Sequence, residues 1–158
     1  MSELNTTGPV LFCYDGSPGS RSALLAAADL LDRPMDAVVL TVWERVAVRL
    51  ALAGAFSAEA VSTEVEADEA EEAAARAAAD KGALSSNENG YHASPVVREA
   101  THGIARAILE VADEVSARLI VCGQRGRGLL RSTLLGSVSH ALASHTARPL
   151  LIAPERST

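Results

Sequence analysis

The sequence predicts one α/β domain built on a five-stranded parallel sheet with helices on both faces. Three observations carry the prediction. Short apolar, β-branched runs alternate with Ala/Leu-rich stretches at helical spacing, several of the runs stop at Gly- or Pro-containing turn clusters, and no internal repeat interrupts the alternation. Runs apolar on both sides suit strands covered from above and below, which is the situation in a parallel sheet joined by right-handed crossovers.

Val10-Leu11-Phe12-Cys13-Tyr14 reads as the first buried strand, ended by Asp15-Gly16-Ser17-Pro18-Gly19. Ser17 before Pro18 fits a helix N-cap with proline in the first turn, and Ala23, Leu24, Ala27, Ala28 and Leu31 give that helix its apolar face until about Pro34. Ala37 to Trp43 is the second strand. After a linker to Ser57, the chain to Lys81 is alanine-rich with acids at Glu59, Glu64, Glu66, Asp68, Glu69, Glu71, Glu72 and Asp80, the pattern of a helix with a solvated acidic face. Gly82 to Gly90 reads as polar and turn-rich, and His92 to Glu99 as a weaker strand at an edge. A helix follows Gly103 through Ile104, Ile108, Leu109 and Ala112; Arg118 to Cys122 is a strand broken at Gly123; Ser137 to His145 is the last helix and Pro149 to Ala153 the last strand.

The 158 residues are 48% hydrophobic and 22% charged, enough apolar material for one packed core. A formal net charge of −6 argues against broad nucleic-acid or anionic-membrane binding, which need a basic surface. Met1 to Gly8 has no basic or apolar region of a signal peptide, and the longest nearly apolar stretch, Val46 to Phe56, contains Arg49 and falls short of a membrane span; a cytoplasmic location is expected. Cys13 and Cys122 each sit in an apolar run without metal-ligand spacing and read as buried thiols. His140 and His145, five apart, do not align on a helix face as ligands would, and His102 reads as a cap or surface residue.

Ligands of such sheets bind beyond the carboxyl ends of the strands. That rule directs attention to the segments after Tyr14, Trp43 and Cys122. Gly123-Gln124-Arg125-Gly126-Arg127-Gly128 follows a strand directly, and Gly136-Ser137-Val138 opens the next helix. Glycines permit close backbone approach, helix-start amides favour phosphate, and the interval from Gly123 to Ser137 carries three arginines and no acid. A flexible loop with solvated arginines is the alternative reading of the same residues. Lys81 is the sole lysine, which excludes a Walker-type phosphate loop and leaves Schiff-base or protein-kinase chemistry without its lysine; the first turn also lacks the dinucleotide GxGxxG.

With Gly123-x2-Gly126-x9-Gly136-Ser137, Asp15 ending the first strand and Thr41-Val42 ending the second, the chain resembles the universal stress protein family, in its ATP-binding form, over nearly its whole length. The resemblance implies a Rossmann-like sheet of order 3-2-1-4-5 and a single domain with its core at about residues 9–154. It implies ATP as ligand, with or without Mg2+: Asp15 beside the nucleoside with Gly16 giving backbone access, the backbone of Val42 on adenine, and Gly123, Gly126, Gly136, Ser137 and Val138 around the phosphates, with Arg127 as a further phosphate contact. It implies a regulator in the stress response that responds to the nucleotide and acts on a protein partner. A slow ATPase or phosphotransferase and a nucleotide-independent dimerisation module remain open; the sequence offers no evident catalytic base. The resemblance and the short apolar last strand together point to a homodimer through that edge. The linker from Trp43 to Ser57 is expected to be a mobile lid at the nucleotide mouth.

Overall fold

The computed structural model describes residues 6–46, 61–126 and 135–156, with residues 61–64 described as helix backbone only. Five strands, β1 (Val10–Cys13), β2 (Met35–Trp43), β3 (Tyr91–Glu99), β4 (Leu119–Gly123) and β5 (Leu150–Ala153), form one sheet in the order β3-β2-β1-β4-β5. Every neighbouring pair is parallel. The helices are α1 (Pro18–Leu30), α2 (Val61–Glu88), α3 (Ile104–Glu114) and α4 (Ser137–His145). Strand order reverses around β1 and β4, so the connections leaving their carboxyl ends run to opposite faces of the sheet and leave a crevice between them.

The two-residue period of the strands sorts the core into two layers. Val10, Phe12, Val39 and Val121 meet Ala23, Leu24, Ala27 and Ala28 of α1 and Ala83 of α2 on one face. Leu11, Leu40, Ile120 and Cys122 meet Ile108 and Val111 of α3 and Leu142 of α4 on the other. Complete burial of side chains such as Leu11, Leu24 and Phe12 contributes about 1.5–3 kcal/mol each.

The segment Gly82 to Gly90 departs from its turn-rich expectation. Helix α2 continues through Gly82 to Glu88, and only then does the chain turn into β3. Gly82 acts there as a packing residue rather than a breaker: a Cβ at this position would stand 2.7 Å from Val39 Cγ1 and 2.8 Å from Tyr14 Cδ1, so glycine lets the helix lie on the sheet. Ser86, fully buried, donates its hydroxyl to the Gly82 carbonyl at 2.9 Å and so stays helical. Helix α1 ends at Leu30, a turn short of Pro34. Among the described residues no helix is long and apolar enough to cross a membrane.

Candidate functional site at the carboxyl ends of the strands

The turn after β1 is built on Asp15. Its Oδ1 accepts the Ser17 amide at 2.9 Å, and Gly16 takes φ +76°, a conformation that side-chain-bearing residues rarely adopt. Ser17 then caps α1 as its sequence suggests: its hydroxyl accepts the Ser20 amide at 3.1 Å, with Pro18 following. The end of β2 is tied to the same turn, because the buried Thr41 hydroxyl donates to the Tyr14 carbonyl at 2.6 Å. Val42, one residue on, is half-buried at the end of β2 beside Arg98 of β3.

The connection after β4 leaves the sheet against α1. A Cβ on Gly123 would lie 2.7 Å from the Gly19 carbonyl carbon, and one on Gly19 would lie 2.4 Å from the Arg125 carbonyl oxygen. The two backbones touch because both positions are glycine. Gly126 faces Asp15: a Cβ there would stand 3.0 Å from Asp15 Oδ2. Asp15 and Gly126, far apart in sequence, are thus brought together over the crevice. The chain returns at Gly136, whose amide donates to the Gln124 carbonyl at 2.9 Å, and α4 starts there with no side chain capping it.

A cavity of about 920 Å³ lies between α3 and α4, lined by Glu44, His102, Gly103, Arg106, Glu110, Ser137 and Val138 among others; of the sequence candidates Ser137 and Val138 belong to its lining, and Asp15, Gly16, Val42, Gly123, Gly126 and Gly136 do not. Gly103 is the N-cap of α3 at φ +93°, again without a side-chain cap, so two helix starts open onto one cavity. Amides at uncapped helix starts carry partial positive charge and favour an anionic group, while Glu44 and Glu110 of the same lining oppose one and Arg106, paired with Glu110 at 2.8 Å, offsets part of that negative charge. His102 and His145 both belong to this lining, with His102 Nδ1 3.0 Å from Thr101 Oγ1 and His145 Nδ1 2.8 Å from the Ala141 carbonyl. No group of His, Cys, Asp and Glu arranged to hold a metal occurs among the described residues.

Of the sequence candidates, Asp15 and Gly126 converge, Gly123 forms the contact with α1, Gly136 forms the base of the connection, and Ser137 and Val138 face the cavity. Gly16 lies in the turn after β1, and Val42 is the last residue but one of β2. Arg127 and residues 47–57 of the expected lid lie outside the described residues. Gly19, Gly82 and Ser139 were not legible as site or packing residues from spacing, since each acts through a neighbour distant in sequence. Beneath the site, the register that pairs Phe12 with Val121 places Cys13 and Cys122 side by side. Burial pushes the Cys122 thiol up to about 11, and burial, then Cys122, then Asp15 raise Cys13 well above its ordinary value.

The sequence model described as "Universal stress protein family" matches residues 6–154, which covers every strand and helix above. The chain belongs to the universal stress protein family. A universal stress protein of Mycobacterium tuberculosis is 35% identical over 78 residues, which cover 49% of this chain and 24% of that protein. The chain therefore spans about a quarter of the length of the curated relatives it matches. Among solved structures, the universal stress protein from Archaeoglobus fulgidus in complex with dAMP is similar at TM-score 0.56, with 19% identity over 92% of this chain and 96% of that one. A universal stress protein family protein from Arabidopsis thaliana with AMP bound is similar at TM-score 0.59, with 15% identity over 95% of this chain and 93% of that one. These likenesses show the shared fold, with the sheet order that the resemblance implied.

Proposed function

We propose that the chain binds an adenine nucleotide, ATP, at the crevice between β1 and β4, and works as a nucleotide-responsive regulator in a cytoplasmic stress response. The observation that carries this reading is the bare start of α4 at Gly136, set at the base of the Gly123 to Gly136 connection with Ser137 and Val138 turned to the cavity. Amides there suit phosphate. The nucleoside end falls to Asp15, whose Oδ2 faces the space that Gly126 leaves open, and to the backbone of Val42. Relatives of the same fold that hold AMP and dAMP support an adenine nucleotide as the class of ligand. Arg127 would add charge to the phosphates. Mg2+, where present, would be held by the phosphates and water, in keeping with its reluctance to shed its hydration shell.

Nucleotide binding would bias the surface around the crevice and so alter what a protein partner meets. Among the described residues β5 pairs with β4 alone, and Leu150, Leu151 and Ile152 keep part of their surface exposed, which suits a homodimer through that edge. Light scattering at tens of micromolar reports a dimer if this is correct, and monomer alone rejects it.

Calorimetry with ATP, AMP and adenosine tests the site, together with identification of any nucleotide released by heating the purified protein. Asp15→Ala should weaken all three ligands, whereas Gly136→Val should weaken ATP and AMP more than adenosine, with circular dichroism confirming the fold. Folded variants that bind ATP as tightly as the parent reject the site.

A further inference from the structure

The β4–α4 connection is closed at its base by a side chain that faces no cavity. Ser139, 3% exposed, places its hydroxyl 2.9 Å from the Gln124 carbonyl and 3.0 Å from the Gly136 carbonyl. Gln124 is itself fixed: its amide donates to Ala153 of β5 at 2.8 Å, and its neighbours Gly123 and Arg125 lie against the backbone of Gly19 in α1. Gln124 is therefore an anchored point of the sheet. Its carbonyl accepts both the Gly136 amide and the Ser139 hydroxyl, so α4 is tied to the sheet by two donors one helical turn apart. Leu142 packs the later part of α4 on the sheet, and these two bonds fix its first turn.

Resting on the nucleotide reading above, we infer that Ser139 is a positioning residue for the phosphate end of the site: its hydroxyl holds the first turn of α4 against Gln124 and so aims the backbone of Ser137 and Val138 into the cavity. The interaction is local to the phosphate end. The Asp15 turn and the end of β2 are joined to each other through Tyr14 and Thr41, not through Ser139. Loss of the hydroxyl should thus separate nucleotide from nucleoside affinity, which a general loss of packing would not do. An orientation error of a few tenths of an ångström matters because hydrogen bonds to phosphate weaken steeply with angle and distance.

The test is calorimetry of the full chain with ATP, AMP and adenosine. Ser139→Ala is expected to weaken ATP about 5- to 20-fold and AMP less, with adenosine within 2-fold of the parent, and Ser139→Thr, which keeps a hydroxyl, to restore most of the loss. Amide hydrogen exchange gives a second readout without ligand: the Gly136 amide should exchange about 10-fold faster in Ser139→Ala, with Ile120 of β4 unchanged. If Ser139→Ala does not fold, Ser139→Cys, a weak donor of similar volume, replaces it with the same expectations. ATP affinity within 2-fold of the parent, or an equal loss for adenosine, overturns the positioning role. A parent chain that binds none of the three ligands overturns the nucleotide reading, and the inference falls with it.

Discussion

Two helices begin at the carboxyl edge of the sheet, α1 after β1 on one face and α4 after β4 on the other, and they begin in opposite ways. At α1, Ser17 turns its hydroxyl onto the Ser20 amide, and Ser17 and Ser20 are both buried. At α4, Gly136 offers no side chain, and the nearby serine, Ser139, turns its hydroxyl to the Gln124 and Gly136 carbonyls rather than to the amides of the helix start. The first start is capped by its own side chain, and the second carries no side-chain cap, which leaves room for the proposed phosphate. A protein that only needed to fold would cap both, since a serine or aspartate cap stabilises a helix by about 0.5–2 kcal/mol. The uncapped start is a stability concession of the kind found at functional sites.

Making α4 resemble α1 is the most direct way to break this contrast. Gly136→Asp supplies the missing cap, since Gly136 has φ −67° and ψ 162°, the extended geometry that capping residues use. Its carboxylate would occupy the place of the phosphate and repel it. We expect ATP affinity to fall by about 100-fold, on the order of 2.7 kcal/mol, while thermal stability holds or rises. A Cβ at 136 would meet the Gln124 carbonyl at 3.3 Å, so Gly136→Ala is the control for crowding and should cost far less affinity. Equal losses for the two variants would mean that space, not an open helix start, is what the site requires.

Both starts also stand on strand ends that carry a thiol, Cys13 under the Asp15 turn and Cys122 under Gly123. With Cys122 raised to about 11 from 9.0, the folded chain holds its proton more tightly than the unfolded chain. Its contribution to stability is complete below pH 9 and is lost as pH rises through 11. Denaturant titration should show stability falling by on the order of 2 kcal/mol across that window, with Cys13 acting in the same direction. Cys122→Ala should flatten the profile there. An unchanged slope would place the alkaline sensitivity elsewhere.

The closed start gives a smaller effect of the opposite kind. Ser17→Ala removes the bond to the Ser20 amide and should reduce stability by about 1 kcal/mol, with ATP affinity within 2-fold of the parent. A collapse of affinity would show that the two starts share one role. This cap was legible in the sequence because its signal is local: Ser17, Pro18 and an apolar period in consecutive residues. The alternation gave the fold class for the same reason, while the strand order needed the family. Gly136 and Ser137 were legible through their spacing from Gly123 and Gly126, but the contact of Gly19 with Arg125 was not, since nothing within α1 marks it. Gly82 shows the cost of reading locally. Among Lys81, Ser85, Asn87 and Asn89 it resembles a breaker, and only the side chains of Val39 and Tyr14 explain its place inside α2.

The smallest expected effect lies at the opposite end of the sheet, where no ligand is proposed. Tyr91 opens β3, is 2% exposed, and sets its ring edge-on to Phe12 with centroids 5.2 Å apart. Its hydroxyl is buried and finds no hydrogen-bond partner among the described residues, and burial raises its pKa above the ordinary tyrosine value. A buried hydroxyl without a partner has lost its water and gained nothing in exchange. Tyr91→Phe keeps the ring contact and removes only that oxygen. It should therefore stabilise the chain by up to about 1 kcal/mol, read from chemical denaturation at neutral pH, and leave ATP affinity untouched. The pair of measurements separates the two meanings of an unsatisfied polar group in this protein. At Gly136 supplying the missing partner should weaken binding strongly, whereas at Tyr91 deleting the group should be harmless to it. A destabilised Tyr91→Phe variant would show that the hydroxyl has a partner of its own, and the contrast would then rest on α1 and α4 alone.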